Sequence, residues 1–426
     1  MTANATEFPV GLAKLLRCPA DGSSLRIETV VGGQTLLVGD DRTYPVLCGI
    51  PRLVDDPLRR QLVALLRGGH PDAAERLVLR WPTFAFGPRL RRRIARELGA
   101  LMPDAVWLGR LLSRFADGGA IRAPHASFTD LVRRHGTSFY PDWFAYRFSA
   151  RTFLPIVGLT GLLPVGRPIL EIGNGCGHST FVLGRHAGPD TVLAIDHQFA
   201  QLYAAKRFIA PAAHYVCADV ERGLPLAAGS FAAVVMNDTF HFVLAKQPLA
   251  DEIARVAAPD ATLILSQIHN GLFPEPFAGE PLEPAEYAAM FSAWAPRMVR
   301  NDRLIQSLAT TDGFDLADPA LSAGLNGERS LSLIGWRGNA GAASVRDLWR
   351  GVFERRTRLI RNPVLERVGA GLAPRADIHP VVASLIVPPD MEGLEGTFDD
   401  PAELGEAAVV DLLRRHVLVD VPSNFV

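Results

Sequence analysis

The chain has 426 residues, 48% of them hydrophobic and 21% charged, which is length and apolar content for roughly two or three folded domains and excludes global disorder. Its 44 basic and 45 acidic residues leave a formal net charge of −1, so no global field draws nucleic acid, and four cysteines are too few for a disulfide scaffold. No apolar run nears the ~20 residues of a membrane helix, and the N-terminus lacks a basic start and apolar stretch; a cytoplasmic protein without membrane contact is expected.

Residues 1–55 read as a compact unit of short strands. Alternation in Leu25 to Val30 and in Thr35 to Val38, around the turn Val31-Gly32-Gly33-Gln34, predicts a hairpin. A second turn, Gly39 to Arg42, leads into Thr43 to Leu47. Residues 56–150 read as a helical linker or lid, with Leu58, Leu62, Leu65 and Leu66 at helical spacing. Within it, the basic run Arg89 to Arg96 reads as a solvated helix face, and Phe139 to Phe148 is rich in aromatic residues.

From about residue 166 strands and helices alternate. Strands are expected at Pro168 to Ile172, Thr191 to Ile195, Tyr215 to Ala218, Phe231 to Met236 and Thr262 to Leu265, with helices at His178 to His186, Gln198 to Ile209 and Pro248 to Ala257. Such alternation implies an α/β fold: a parallel sheet covered by helices on both faces. Ser330 to Trp336 is a late strand, and residues 341–426 are expected to form a helical C-terminal extension that carries no readable motif.

The informative segment is Glu171-Ile172-Gly173-Asn174-Gly175-Cys176-Gly177, which follows a strand and opens a helix. Dinucleotide sites favour G-x-G-x-x-G, because a pyrophosphate sits on the helix N-terminus. Here the pattern is G-x-G-x-G, with His178 where the third dinucleotide glycine belongs. Glu171, two residues before the first glycine, suits the amino end of a ligand better than a phosphate. Asp196 ends the second strand and Asp219 the third. Three acids thus stand at the carboxyl ends of three successive strands, the ligand crevice of an open parallel sheet.

In this order, together with Leu224-Pro225-Leu226 and Asn237-Asp238-Thr239-Phe240-His241, these elements resemble the class I S-adenosylmethionine (SAM)-dependent methyltransferases over residues 165–270. The resemblance implies a Rossmann-like seven-stranded sheet, here within residues 151–340, whose last strand runs antiparallel. It implies SAM as cofactor, with Gly173, Gly175 and Gly177 lining it, Asp196 on the ribose and Asp219 near adenine. Asn174, His197, Val220 and Asn237 complete the expected cofactor set. One departure is Ala258-Pro259-Asp260-Ala261, where the family often has Lys-Pro-Gly-Gly.

Methyl transfer from a sulfonium needs an in-line nucleophile and exclusion of water, and a general base only for some acceptors. The expected reaction is transfer to oxygen or nitrogen of a small-molecule acceptor, with His241, Asp238 and His269 as catalytic candidates at one sheet edge. Phe240 and Phe242 read first as core. Tyr140 and Tyr146, on the segment before the fold, are expected to reach SAM, and Arg147 a carboxylate. Nucleic acid is not expected as a partner. Three alternatives stay open: cyclisation of the aminobutyrate arm of SAM, an RNA or protein methyltransferase, and a silent SAM-binding subunit. Oligomeric state is not legible.

Leu15 to Gly22 with Tyr44 to Pro51 resembles the small zinc-ribbon activators of methyltransferases. Asp21 stands where the second cysteine of a C-x-x-C pair belongs, so the expectation is the ribbon shape without metal, with Cys18 and Cys48 buried, close together and reduced. No metal ligands are assigned anywhere in the chain.

Overall fold

The N-terminal alternation folds as a hairpin: β1 (Arg26–Val30) and β2 (Gln34–Val38) pair antiparallel, with Ile27 opposite Leu37. Gly32 and Gly33, both at φ 72°, make the turn between them. β3 (Thr43–Leu47) and β4 (Ile50–Leu53) extend the meander. The computed structural model describes residues 10–82, 117–121, 124–135, 140–273, 279–338, 343–368, 371–378 and 404–426. The basic run Arg89 to Arg96 lies outside the described residues.

The alternating part supplies β5 (Ile169–Ile172), β6 (Val192–Asp196), β7 (His214–Ala218), β8 (Phe231–Asn237) and β9 (Ala257–His269), followed by β10 (Arg297–Arg300) and β11 (Ser330–Trp336). All eleven strands form one sheet in the order β1-β2-β3-β4-β7-β6-β5-β8-β9-β11-β10. β5 to β9 are mutually parallel, and β11 runs antiparallel to β9, as the resemblance implied. The last seven strands of that order form the seven-stranded sheet that the resemblance implied.

Parallel strands need cover on both faces, and the side-chain period of two supplies it. Ile169, Val192, Ala194, Ala233, Val235 and Ile264 face one core, shared with Phe181 and Val182 of α1 (His178–Ala187). Leu170, Leu193, Ile195, Val234, Met236 and Leu263 face the other, shared with Leu249 and Ile253 of α2 (Lys246–Val256). The helix expected over Gln198 to Ile209 begins at Phe199 and widens to a π turn over Ala205–Ile209.

The N-terminal unit is not a separate sheet. β4 lies parallel to β7, Arg52 opposite Cys217 and Leu53 opposite Ala218, so it covers an edge that would otherwise present unpaired backbone groups. Leu15 and Arg17 add backbone bonds to Ala227 (2.8 Å) and Pro225 (2.8 Å). The two thiols have different surroundings, against expectation. Cys18 is buried beside the Tyr44 hydroxyl (3.6 Å) in one core, whereas Cys48 is only partly buried and packs against the other. Cys48 lies past the end of β3 at φ 51°, in the turn to β4, where strand alternation no longer sets its face.

The C-terminal segment also differs from expectation. Besides helices Leu348–Glu354 and Glu406–Arg414, its described residues form strands, Arg358–Arg361 pairing with Leu418–Val421 and Leu365–Val368 with Gly371–Pro374. The pairing partners are distant in sequence or very short, so local periodicity does not show them. This segment is tied to α1 by a buried ion pair, Arg185 to Asp420 at 2.6 Å, and to the helix Phe128–His135 by Phe425, which stacks on Phe128. Among the described residues, no helix is long and apolar enough to cross a membrane.

Candidate functional site

The glycine loop joins β5 to α1 at the carboxyl edge of the sheet. Gly173 sits at φ 76°, and a Cβ there would collide with the Thr239 side chain; the Thr239 hydroxyl donates to the Gly173 carbonyl at 3.0 Å. Gly177, at φ 86°, caps α1, and a Cβ would lie 2.7 Å from that of Ala205. Both positions therefore exclude side chains by conformation and by space.

Asp196 is buried. Its carboxylate accepts from the Gly175 amide (2.9 Å) and the Gln198 amide (2.9 Å), and His197 Nδ1 stands 3.3 Å away. Burial opposes its charge, but His197 and the two amides hold the carboxyl below its ordinary value. Asp219 is half-exposed and caps the turn Val220–Arg222 through the Glu221 amide (3.2 Å). A cavity beside it is lined by Ala20, Leu53 and Asp55 of the N-terminal unit and by Ala218 and Arg222.

Glu171 takes a different place from an open carboxylate. It is buried on the α1 face of β5, and Thr180 Oγ1 donates to it at 2.5 Å. Burial pushes its carboxyl up to about 8, so at neutral pH it is mostly protonated. Asn174 is buried with neither side-chain polar atom partnered, and Asn237, which donates to Ser179 Oγ at 3.0 Å, keeps an unpartnered Oδ1. Those unmet groups beside a loop whose Gly173 and Gly177 leave no room for a Cβ fit a polar ligand such as SAM. Of the aromatic pair, the Tyr140 side chain lies outside the described residues; Tyr146 is buried, which raises its phenol.

The three expected catalytic residues converge. Asp238 leaves β8 at φ 56°, a left-handed turn held by its amide on the Ser266 carbonyl (2.9 Å). Its Oδ1 lies 3.7 Å from His241 Nε2 and 3.9 Å from His269 Nε2, and its Oδ2 accepts from Arg147 Nη2 at 2.9 Å. His241 has no exposed surface and no partner on either ring nitrogen. Burial, then the charges of His269 and Lys246, hold it well below the ordinary imidazole value. Arg147 stacks over Trp143 (4.7 Å) and Phe153 (5.7 Å). Phe240 packs in the core against Phe291, while Phe242 is half-exposed beside His241.

A bulge aims His269. In the β9–β11 register Leu265 pairs with Leu333 but Ile268 with Leu331, so β9 carries one extra residue. Ile268 then shares a core with Leu265, against simple alternation, and the phase of His269 shifts with it. The bulged Gln267, at φ 53°, is bonded to Asn301, Ser330 and the Thr152 carbonyl. Sequence reading missed this support, and only the polar run Ser266-Gln267 inside an apolar strand hints at it.

Residues 170–265 match the family model described as "Methyltransferase domain". No curated protein matches the chain. Among solved structures, the chain is similar to the YcgJ protein of Bacillus subtilis (17% identity, 45% of this chain and 99% of that one, TM-score 0.33). It is also similar to a chain of the Haloferax volcanii complex that contains the Trm112 methyltransferase activator (13%, 51% and 100%, TM-score 0.36). A third is Haemonchus contortus phosphoethanolamine N-methyltransferase 2 in complex with SAM (18%, 52% and 62%, TM-score 0.34). The family match and the strand order make this region the SAM-binding core of a class I methyltransferase, an enzyme whose cofactor is SAM.

Proposed function

We propose that this class I SAM-dependent methyltransferase acts on oxygen or nitrogen of a small-molecule acceptor, activated by the Asp238, His241 and His269 cluster. One observation carries the reading: the cluster begins at the residue next to Thr239, whose side chain touches Gly173 of the cofactor loop. Acceptor-directed groups and cofactor loop are therefore adjacent.

When bound, SAM supplies an electrophilic methyl group on a sulfonium. Gly173, Asn174 and Gly175 would line it, and Asp196 would accept from its ribose hydroxyls, while Asp219 stands at the end where adenine belongs. The chain's own residues then position the acceptor. Asp238 is too far from either imidazole for a direct hydrogen bond, so both can turn their polar atoms to an acceptor group placed beside them. His269, about a third exposed, is the ring that an incoming acceptor meets first, and it takes the acceptor's proton. General-base help of this kind is worth roughly 10²–10⁴ in rate. Arg147, held by two rings, fixes the carboxylate and brings its own segment over the site, which narrows access and suits a small molecule over a polymer.

The test is incubation with methyl-labelled SAM and sets of small hydroxylated and amino compounds, reading S-adenosylhomocysteine. Release of methylthioadenosine instead would replace methylation by cyclisation chemistry. Turnover confined to RNA or protein would overturn the acceptor class.

A further inference from the structure

We propose that Asp238, His241 and His269 form a binding site for a borderline divalent transition-metal ion of the zinc class. The proposal rests on the acceptor-side reading above but makes His269 a ligand in place of the proton acceptor, and it departs from the sequence expectation of no metal ligands. The three donor atoms lie within 4.8 Å of one another, and Asp238 Oδ1 is 3.7 and 3.9 Å from the two Nε2 atoms. An ion bonded at about 2.0–2.2 Å holds its donors about 3–3.5 Å apart, so small side-chain rotations close the set.

His241 supplies the independent sign of a ligand. An imidazole with no exposed surface and two unpartnered nitrogens is an uncompensated buried polar group, and coordination through Nε2 answers the nitrogen that faces the cluster. Arg147 occupies Oδ2 of Asp238, fixing the carboxylate with Oδ1 turned to the histidines, a monodentate ligand.

The surrounding charge selects the ion. Arg147 on one side and Lys246, which donates to the Val243 carbonyl, on the other oppose a hard cation held by charge alone. Imidazole donors favour zinc, cobalt or nickel over magnesium or calcium. Three protein ligands leave a position open for an acceptor oxygen. The substrate class narrows accordingly to compounds that present a hydroxyl or phenol to the ion. With both ring lone pairs committed, the proton of that hydroxyl leaves to water. The oxygen electron pair then forms the bond to the methyl carbon as the carbon–sulfur bond breaks onto sulfur.

The experiment uses the full chain, free of any affinity tag and dialysed against chelator, titrated calorimetrically with Zn²⁺ alone. One equivalent bound at micromolar Kd or tighter is expected, at least 100-fold weaker in His269→Ala, and unchanged in Cys18→Ser and Cys48→Ser. Mg²⁺ should give no saturable heat. Co²⁺ should bind with weak visible bands and no thiolate charge transfer. His241→Phe is a second variant; should it fail to fold, His269→Ala, at a partly exposed position, decides alone. No saturable Zn²⁺ binding to the wild type, or binding indifferent to His269→Ala, overturns the site. SAM calorimetry on the same samples keeps the two readings apart: SAM bound without Zn²⁺ removes the metal and leaves the methyltransferase standing.

Discussion

The two halves of the carboxyl edge are built on different principles. On the β5–β7 side, the acids are satisfied from within, Asp196 by two backbone amides and Glu171 by Thr180, and the side chain of Asn174 is left without a partner. On the β8–β9 side, side chains from distant segments are brought together and left short of partners, most plainly the His241 ring. The first half is a local device, in which one strand end supplies the groups that the next strand end needs. The second is assembled from a left-handed residue, a bulge and an arginine from a segment far upstream. A preformed half suits a ligand that is always the same, and an unsatisfied half suits chemistry completed only when the acceptor arrives.

Substitutions separate the halves by effect size. Gly173→Ala should be the most damaging on the cofactor side: it demands φ 76° of a residue with a Cβ and drives that atom into Thr239, so SAM affinity should fall by at least about 100-fold in calorimetry. Unchanged affinity would move the cofactor away from this loop. Asp196→Ala should weaken SAM by roughly 10- to 100-fold with the circular dichroism spectrum retained, the range for losing charge-assisted hydrogen bonds.

Glu171→Gln probes the same half through pH. The folded carboxyl is raised from 4.5 to about 8, so the stability linked to it is full below 4.5 and lost as pH rises through 8. The glutamine variant should therefore gain on the wild type in melting temperature between pH 6 and 9. A difference constant with pH would contradict the buried, protonated Glu171. In acid the sign reverses: His178, lowered to about 3, and His416, lowered to about 4, by burial, contribute stability that is full above 6.5 and lost as pH falls through those values, in both proteins. The smallest effect belongs to the other half. His269→Ala should leave the SAM Kd within about twofold, since the ring serves the acceptor side; a large loss of SAM affinity would merge the halves into one site.

Much of the first half was legible because its signals are short-range. Apolar runs ending in Gly173, Asp196 and Asp219 carry strand, turn and acid within a few residues each, and the α/β order follows from their spacing. The candidates Asp238, His241 and His269 were legible as residues after strands at one sheet edge, but the bulge and turn that bring them within 4 Å of one carboxylate oxygen were not. The mixed C-terminal segment, β10 and the continuity of the N-terminal strands with the main sheet were hidden for a related reason: each depends on a pairing partner remote in sequence.

The sequence by itself determined the parallel sheet, the glycine loop and its acids, since side-chain period, glycine conformation and strand-end position are local properties of the chain. Only the tertiary structure decided that Glu171 is buried and protonated, that Arg147 reaches Asp238, and that a bulge turns His269 toward His241. Burial, charge pairing and strand phase across a sheet are set by what lies on the other side of each residue, and no local stretch of chain carries that information.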